Sequence, residues 1–137
     1  MQLAIKEVSF EQENAQKPVT VSVDELPEID VKTANDWLEH DEAVLIDVRE
    51  TGEYEFDHVP GSLLLPLSFL DTGLFPPIQG LKILILCQIG KRSAAAQKQL
   101  AKTGIENTFN IAGGLDAWRE AGLDLEGRRH EEGDYAI

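Results

Sequence analysis

Apolar and polar positions alternate in blocks from residue 29 onward, and the blocks predict strands and helices in turn. Three continuous apolar runs are typical of strands buried on both faces, and they cover residues 43–46, 63–65 and 82–86. The remaining pattern predicts one more short strand and several helices: a strand over 108–111, helices over 31–39, 93–102 and 115–120, and one helical turn over 53–57. Short strands alternating with helices are typical of an α/β domain with a mostly parallel sheet.

The two ends of the chain differ from this regular middle part. The first 26 residues are polar apart from two short apolar patches, and we interpret them as an N-terminal extension that lies against the domain or binds a partner protein. Residues 126–137 are acidic and show no periodicity, so we expect a frayed C-terminal tail. Because 137 residues are the size of one domain, the predicted domain covers residues 27–125.

The charge of the chain is strongly negative and unevenly distributed. The formal net charge of −13 repels phosphate backbones and anionic lipid, so nucleic acids and membrane surfaces are poor partners. Residues 58–109 alone carry a net charge of +3, and they contain Cys87, the one cysteine of the sequence. That middle third is therefore suited to an anionic ligand. With no disulfide, no apolar run near ~18 residues and no secretory signal pattern, we expect a cytoplasmic protein.

The candidate chemistry lies in the segment 86–93, where a predicted strand runs into Cys87 and a helix is expected to begin at a Ser93 cap. Ligands of open α/β sheets bind outside the carboxyl ends of the strands, which is where this pattern places the cysteine. Gly90 permits a tight turn whose amides converge near the sulfur. The helix N-terminus, Lys91 and Arg92 add positive charge, which predicts a thiol with a lowered pKa. The same amides suit an anion bonded to the cysteine.

Four stretches in order carry a resemblance to a known family. Asp47-Val48-Arg49-Glu50 follows a predicted strand, and His58-Val59-Pro60-Gly61-Ser62 comes next. The segment 87–93 has a cysteine, four residues, an arginine and a serine, and the segment 110–118 contains two glycines followed by a tryptophan. With these motifs, the chain resembles the rhodanese homology domain, the family of single-domain sulfurtransferases, over about residues 29–123. The resemblance implies one domain with an open, mostly parallel sheet and helices on both faces.

The resemblance also implies a mechanism. Cys87 takes a sulfane sulfur from thiosulfate or a persulfide donor, becomes a persulfide, and passes the sulfur to a thiol, or to cyanide in the test tube. The loop that cradles the persulfide consists of Gln88, Ile89, Gly90, Lys91, Arg92 and Ser93. Lys91 and Arg92 attract the anionic donor, and Asp47 and Arg49 form a supporting polar network. No cofactor and no metal are expected, and a lone cysteine means that an outside acceptor must collect the sulfur.

Two features depart from the family pattern. Gln88 stands where the family often has a second basic residue, and Ile89 adds an apolar neighbour, so a thiol or protein persulfide is favoured over thiosulfate as donor. Asp57 stands where the family commonly has glycine, at what we expect to be a surface turn.

Three other functions are alternatives to sulfur transfer. The cysteine-dependent phosphatases place five residues between cysteine and arginine, whereas this chain has four. A non-catalytic binding or regulatory module is the second alternative, although such modules usually lack the cysteine that is present here. The third is a sulfur carrier in a biosynthetic relay, which uses the same persulfide and needs a dedicated partner.

Overall fold

The computed structural model describes residues 26–71 and 73–131, and these form one sheet flanked by helices. The strands are β1 (Glu28–Ile29), β2 (Ala43–Asp47), β3 (Leu63–Leu64), β4 (Lys82–Leu86) and β5 (Thr108–Ile111). The helices are α1 (Val31–Glu39), α2 (Thr51–Phe56), α3 (Lys91–Lys102) and α4 (Gly114–Glu120). All neighbouring strands pair in parallel, in the order β1-β5-β4-β2-β3. The predicted parallel α/β sheet is confirmed.

Both faces of the central strand β4 are buried because helices cover the sheet from two sides. Successive side chains of a strand point to opposite faces. Leu84 and Leu86 therefore pack in the cluster that contains Trp118 of α4, together with α1. Ile83, Ile85 and the following Cys87 pack in a second cluster with Ala96 and Leu100 of α3. The expectation of helices on both faces is confirmed, and Cys87 lies on the α3 side.

Several elements differ from the sequence expectation, and strand β1 was not predicted at all. The strand predicted at 63–65 is present as the two-residue β3, but its predicted burial is wrong. β3 lies at the edge of the sheet, and Leu63 is 54% exposed because β2 is its only strand neighbour. Helix α3 begins at Lys91, two residues earlier than predicted. Its N-cap is Gly90, whose φ of 107° is accessible to glycine at little cost. Ser93 is thus a fully buried residue of the first turn, and the predicted Ser93 cap is wrong.

Of the tail expected to be frayed, residues 126–131 are ordered, and we call them the C-terminal strap. Residues 132–137 lie outside the described residues. Glu126 forms an antiparallel bridge with His58, and residues Arg128–Glu131 form a 3₁₀ helix beside α2. Asp57 is only 2% exposed, so its expected place in a surface turn is also wrong. Its carboxylate accepts hydrogen bonds from three basic side chains, those of Arg119, Arg129 and His130. The buried negative charge thereby holds the strap against the end of α2.

The proposed extension lies outside the described residues except for its last residue, so the partner-binding arm remains a prediction. None of the helices in residues 26–71 and 73–131 has the length and apolar character needed to cross a bilayer.

The first turn of helix α4 packs directly against Cys87 and Gln88, the residues that follow β4. The Leu115 N–H donates to the Cys87 carbonyl at 2.9 Å, and the Asp116 N–H donates to the Gln88 carbonyl at 3.1 Å. A Cβ at Gly114 would overlap the Cys87 carbonyl oxygen and would lie 2.6 Å from the Gln88 carbonyl carbon. Glycine at 114 therefore allows the helix to approach the cysteine loop.

We predict that Gly114→Ala destabilises the protein more than Gly122→Ala does. Both glycines have positive φ, +60° and +77°, and the strain of a side chain there costs about 1–2 kcal/mol. Only alanine at 114 also collides with backbone, because nothing lies within 4 Å of a Cβ at Gly122. Urea unfolding of the two variants measures the difference. Equal losses of unfolding free energy would contradict close packing of α4 on the loop.

Candidate active site

The cysteine lies at the carboxyl end of the central strand, where a parallel sheet places its ligand crevice. Cys87 directly follows β4, and the residue is 1% exposed. The backbone N–H of Gly90 donates to the sulfur at 3.1 Å, and the Ser93 hydroxyl lies 3.3 Å from it. The chain from Cys87 to Ser93 thus curls around the sulfur and directs its polar groups towards it.

The surroundings of the sulfur favour the thiolate. Burial alone raises the pKa of the Cys87 thiol. Hydrogen bonds from the Ser93 hydroxyl and from the backbone N–H groups of Ser93, Gly90 and Ile89 outweigh burial, so the pKa lies below its ordinary value. The predicted direction of the shift agrees with the structure. Its main causes are neutral dipoles of the loop and of the first turn of α3. The charges of Lys91 and Arg92, from which the sequence also predicts a lowered pKa, are not among these main causes.

The two predicted cations are placed differently from each other. Lys91 is exposed at the start of α3. Arg92 donates two hydrogen bonds to the Glu53 carboxylate, at 2.8 and 2.9 Å, so much of its charge is already compensated. The hydrogen bonds from the Arg92 guanidinium are the main cause that lowers the pKa of Glu53, to about 2. Burial opposes this shift, and the Glu50 N–H adds to it. Glu53, which the sequence analysis did not assign to the site, therefore anchors Arg92 beside the loop.

Asp47 and Arg49 form a buried polar network under the loop. Neither residue is more than 1% exposed. The Asp47 carboxylate accepts hydrogen bonds from Nε and Nη2 of Arg49, at 3.0 and 2.8 Å. Nη1 of Arg49 donates to Oε1 of Gln88 at 3.2 Å, and Nε2 of Gln88 donates to Asp116 at 2.7 Å. Gln88 therefore links the Asp47–Arg49 network to α4 through hydrogen bonds, and we call this link the Gln88 clamp. Because its side chain is neutral, Gln88 adds no charge to the loop.

Asn110 is a further polar residue of the site that the sequence analysis had quoted only as part of a motif. It is 5% exposed, on β5 beside β4. Its Oδ1 accepts from the Ser93 hydroxyl at 2.5 Å, and its Nδ2 donates to the Gly90 carbonyl at 3.1 Å. The available signal was an amide side chain between two apolar residues, Phe109 and Ile111, near the carboxyl end of a strand.

The mouth of the site is partly apolar. Ile89 is 53% exposed, while its backbone N–H faces the sulfur. No group of three or more side chains in residues 26–71 and 73–131 is arranged as a metal site. The described geometry is therefore that of a buried cysteine with a lowered pKa in a loop lined by N–H groups, which can hold an anion bonded to the sulfur.

A parallel α/β domain with such a loop defines a class of cysteine-centred, anion-binding proteins, and comparison with known proteins places the chain within it. The model of the Rhodanese-like domain matches residues 30–121. The chain therefore belongs to the rhodanese-like domain family.

Relatives and a solved structure agree with this assignment. The chain is 37% identical over 92 residues to the uncharacterized protein slr1261 of Synechocystis and 31% identical over 94 residues to the putative sulfur carrier protein YrkF of Bacillus subtilis. These matches cover 67% and 68% of this chain and 51% of each relative, so the chain spans about half their length. It is 27% identical over 108 residues to the thiosulfate sulfurtransferase GlpE of Vibrio cholerae, covering 76% of this chain and 98% of GlpE. The crystal structure of a rhodanese-related protein from Thermoplasma volcanium matches with a TM-score of 0.66 and 27% identity, covering 73% and 97% of the two chains.

We predict that Glu53→Gln weakens the protein at neutral pH and has no effect near pH 2. Because the pKa of Glu53 is lowered to about 2 from about 4.5, its stabilising contribution is complete above pH 4.5 and is lost as the pH falls towards 2. The pair is partly exposed, so the neutral-pH difference is at most about 1 kcal/mol. Urea unfolding across this pH range measures the difference. Arg92→Gln is the control, since the effect of Glu53→Gln should disappear in its background.

A difference between wild type and Glu53→Gln that stays constant from pH 7 to pH 2 would contradict the assignment of this ion pair.

Proposed function

We propose that the protein is a sulfurtransferase that carries a sulfane sulfur as a persulfide on Cys87. The observation that supports this most is the environment of the sulfur, where N–H groups and a hydroxyl lower the pKa of a nearly inaccessible thiol. A cysteine with a purely packing role has no need of such donors, whereas a nucleophile and its anionic product do. The family membership and the GlpE relative agree with this reading.

The reaction proceeds in two balanced steps. In the first, the Cys87 thiolate attacks the outer sulfur of a donor R–S–SH; a new S–S bond forms, the donor S–S bond breaks, and R–S⁻ leaves. The persulfide then loses its proton, and the loop amides hold its terminal sulfur anion. In the second step, the outer sulfur takes up a proton again and an acceptor thiolate attacks it. A new S–S bond forms, the bond between Cys87 and the outer sulfur breaks, and Cys87 leaves as a thiolate. No electrons are gained or lost overall, and kinetics of the ping-pong type are expected.

Different residues around Cys87 bind the sulfur, hold the loop and attract the donor. The backbone amides of residues 88–93 hold the terminal sulfur, and the Asp47–Arg49 network keeps that loop in place. Lys91 and Arg92 supply positive charge for an incoming anion, although Glu53 compensates Arg92. Because Gln88 is neutral and engaged on both sides, a small or protein-bound persulfide suits the site better than the dianion thiosulfate. The acceptor is a thiol, and a reducing cytoplasm would keep Cys87 available.

A sulfur carrier is the second candidate, and the relationship to the putative carrier YrkF favours it. A carrier would load the same persulfide but would release it only to a dedicated partner, for which residues 1–26 are the proposed contact. A non-catalytic binding module is disfavoured because the lowered pKa of Cys87 would have no role in it. Turnover with small thiols as the only acceptors separates the enzyme from the carrier.

We expect the intact mass to rise by one sulfur atom when the protein is incubated with a small-molecule persulfide. Cyanide should remove the added mass, and Cys87→Ser should show no gain while it remains folded by circular dichroism. Thiosulfate is tested in parallel and should load the protein less efficiently. Sulfur uptake by Cys87→Ser, or no uptake by the wild type from either donor, would overturn the proposed function.

We further predict that Gln88→Arg improves the use of thiosulfate. An added cation a few ångströms from a dianion is worth about 1 kcal/mol in a solvated site, so KM for thiosulfate should fall roughly fivefold. Gln88→Met is the matched control, because it removes the amide without adding charge. Initial rates with cyanide as acceptor measure both variants. An equal fall in KM for Gln88→Met would show that the clamp, and not the charge, limits thiosulfate use.

A further inference from the structure

The hydroxyl of Ser93 has one proton and two acceptors. It lies 3.3 Å from the sulfur of Cys87 and 2.5 Å from Oδ1 of Asn110. Ser93 is 0% exposed, and Asn110 is 5% exposed. A hydroxyl can donate only one hydrogen bond. The sulfur and the amide oxygen therefore compete for the same proton inside the protein.

The orientation of the Asn110 carboxamide is held by its other end. Nδ2 donates to the Gly90 carbonyl at 3.1 Å and lies 3.5 Å from a carboxylate oxygen of Glu28. A flipped amide would direct Oδ1 at both of these oxygens, so three oxygen atoms would face one another without a proton. The oxygen of Asn110 therefore faces Ser93 whatever the state of the cysteine.

The fixed amide makes the hydrogen bonds depend on the state of the sulfur. With a neutral thiol, S–H donates to Ser93 and Ser93 donates to Asn110, so every group has a partner. A bare thiolate accepts a hydrogen bond from the Ser93 hydroxyl, which then no longer donates to Asn110. The hydroxyl oxygen of Ser93 and Oδ1 of Asn110 are left 2.5 Å apart with no proton between them. In the persulfide the negative charge lies on the outer sulfur, towards the loop amides. The Ser93 proton then returns to Asn110.

We propose that Asn110 is a positioning residue that competes with the sulfur for the Ser93 proton and so favours the sulfur-loaded cysteine over the empty thiolate. The proposal rests on the proposed function, because loading has meaning only if Cys87 carries sulfur. A thiolate that gains its hydroxyl donor only when Asn110 loses one is more basic than a thiolate with a free donor. More basic thiolates are better nucleophiles and poorer leaving groups. Both properties favour uptake of sulfur and slow its release.

The pKa of Cys87 measures this competition directly. We expect Asn110→Ala to free the Ser93 proton for the sulfur and to lower the midpoint of Cys87 alkylation by roughly 0.5 to 1 pH unit, the size of one hydrogen bond. In a Ser93→Ala background the same substitution should produce no shift. Iodoacetamide alkylation against pH, followed by intact mass, supplies the four midpoints of this double-mutant cycle. Equal shifts in both backgrounds, or none in either, would overturn the proposal.

A second measurement needs no substitution of Asn110, whose contact with Gly90 also supports the loop. The carboxamide ¹³C signal of Asn110 in the full wild-type chain should change with the titration midpoint of Cys87, because Oδ1 loses its donor as the thiolate forms. The signal should stay flat in Ser93→Ala. A flat signal in the wild type would overturn the proposal even if Asn110→Ala fails to fold.

The loading step has its own measurement. In exchange equilibrium with a small persulfide, Asn110→Ala should carry less sulfur than the wild type, and an equal loaded fraction in the two proteins would overturn this part of the proposal. Neither the alkylation nor the carbon signal requires sulfur transfer. Absence of sulfur uptake by the wild type, with the titration results as expected, would therefore contradict the proposed function and leave the shared proton established.

Discussion

The guanidinium of Arg49 joins the segments from which the site is built. It is paired with Asp47 at the end of β2, and its remaining N–H groups donate to the carbonyls of Glu53 and Asp57 and to Gln88. One buried cation thus connects a strand, helix α2 with the turn that follows it, and the cysteine loop. Removing one partner of a buried ion pair costs about 3–5 kcal/mol, because the other charge is left without compensation. The position of the loop depends on this pair being complete.

Helix α2 and the residue after it hold the basic side chains of the outer part of the site. Near its start, Glu53 holds Arg92 beside the loop, and at its end the buried carboxylate of Asp57 receives basic side chains from α4 and the C-terminal strap. The charged groups therefore satisfy one another around the loop, while neutral N–H and O–H dipoles face the sulfur. The fold fixes the directions of the backbone N–H groups, whereas the Ser93 hydroxyl can turn between the sulfur and Asn110.

The sequence was sufficient for the parts of the fold that depend on local pattern. The periodicity around Ala34 predicted α1 with its observed bounds, and the apolar run before Cys87 predicted the central strand. The errors arose where distant residues decide. Asp57 is buried because side chains 62 to 73 positions later reach it, and β3 is exposed because it lies at the edge of the sheet. Within the site, the loop residues follow from the cysteine motif, whereas Glu53 and Asn110 join it only through the packing of α2 and β5, which no local spacing reveals.

The direction of the N–H dipoles around Cys87 also affects how readily a metal cation binds its sulfur. A soft metal ion such as Zn²⁺ or Cu⁺ requires several lone pairs directed at one point. The amides of Ile89, Gly90 and Ser93 direct the positive ends of their dipoles at that point instead. A cation approaching the sulfur is therefore repelled by the same groups that stabilise an anion there. The groups that lower the pKa of Cys87 thus also disfavour a metal ion at its sulfur.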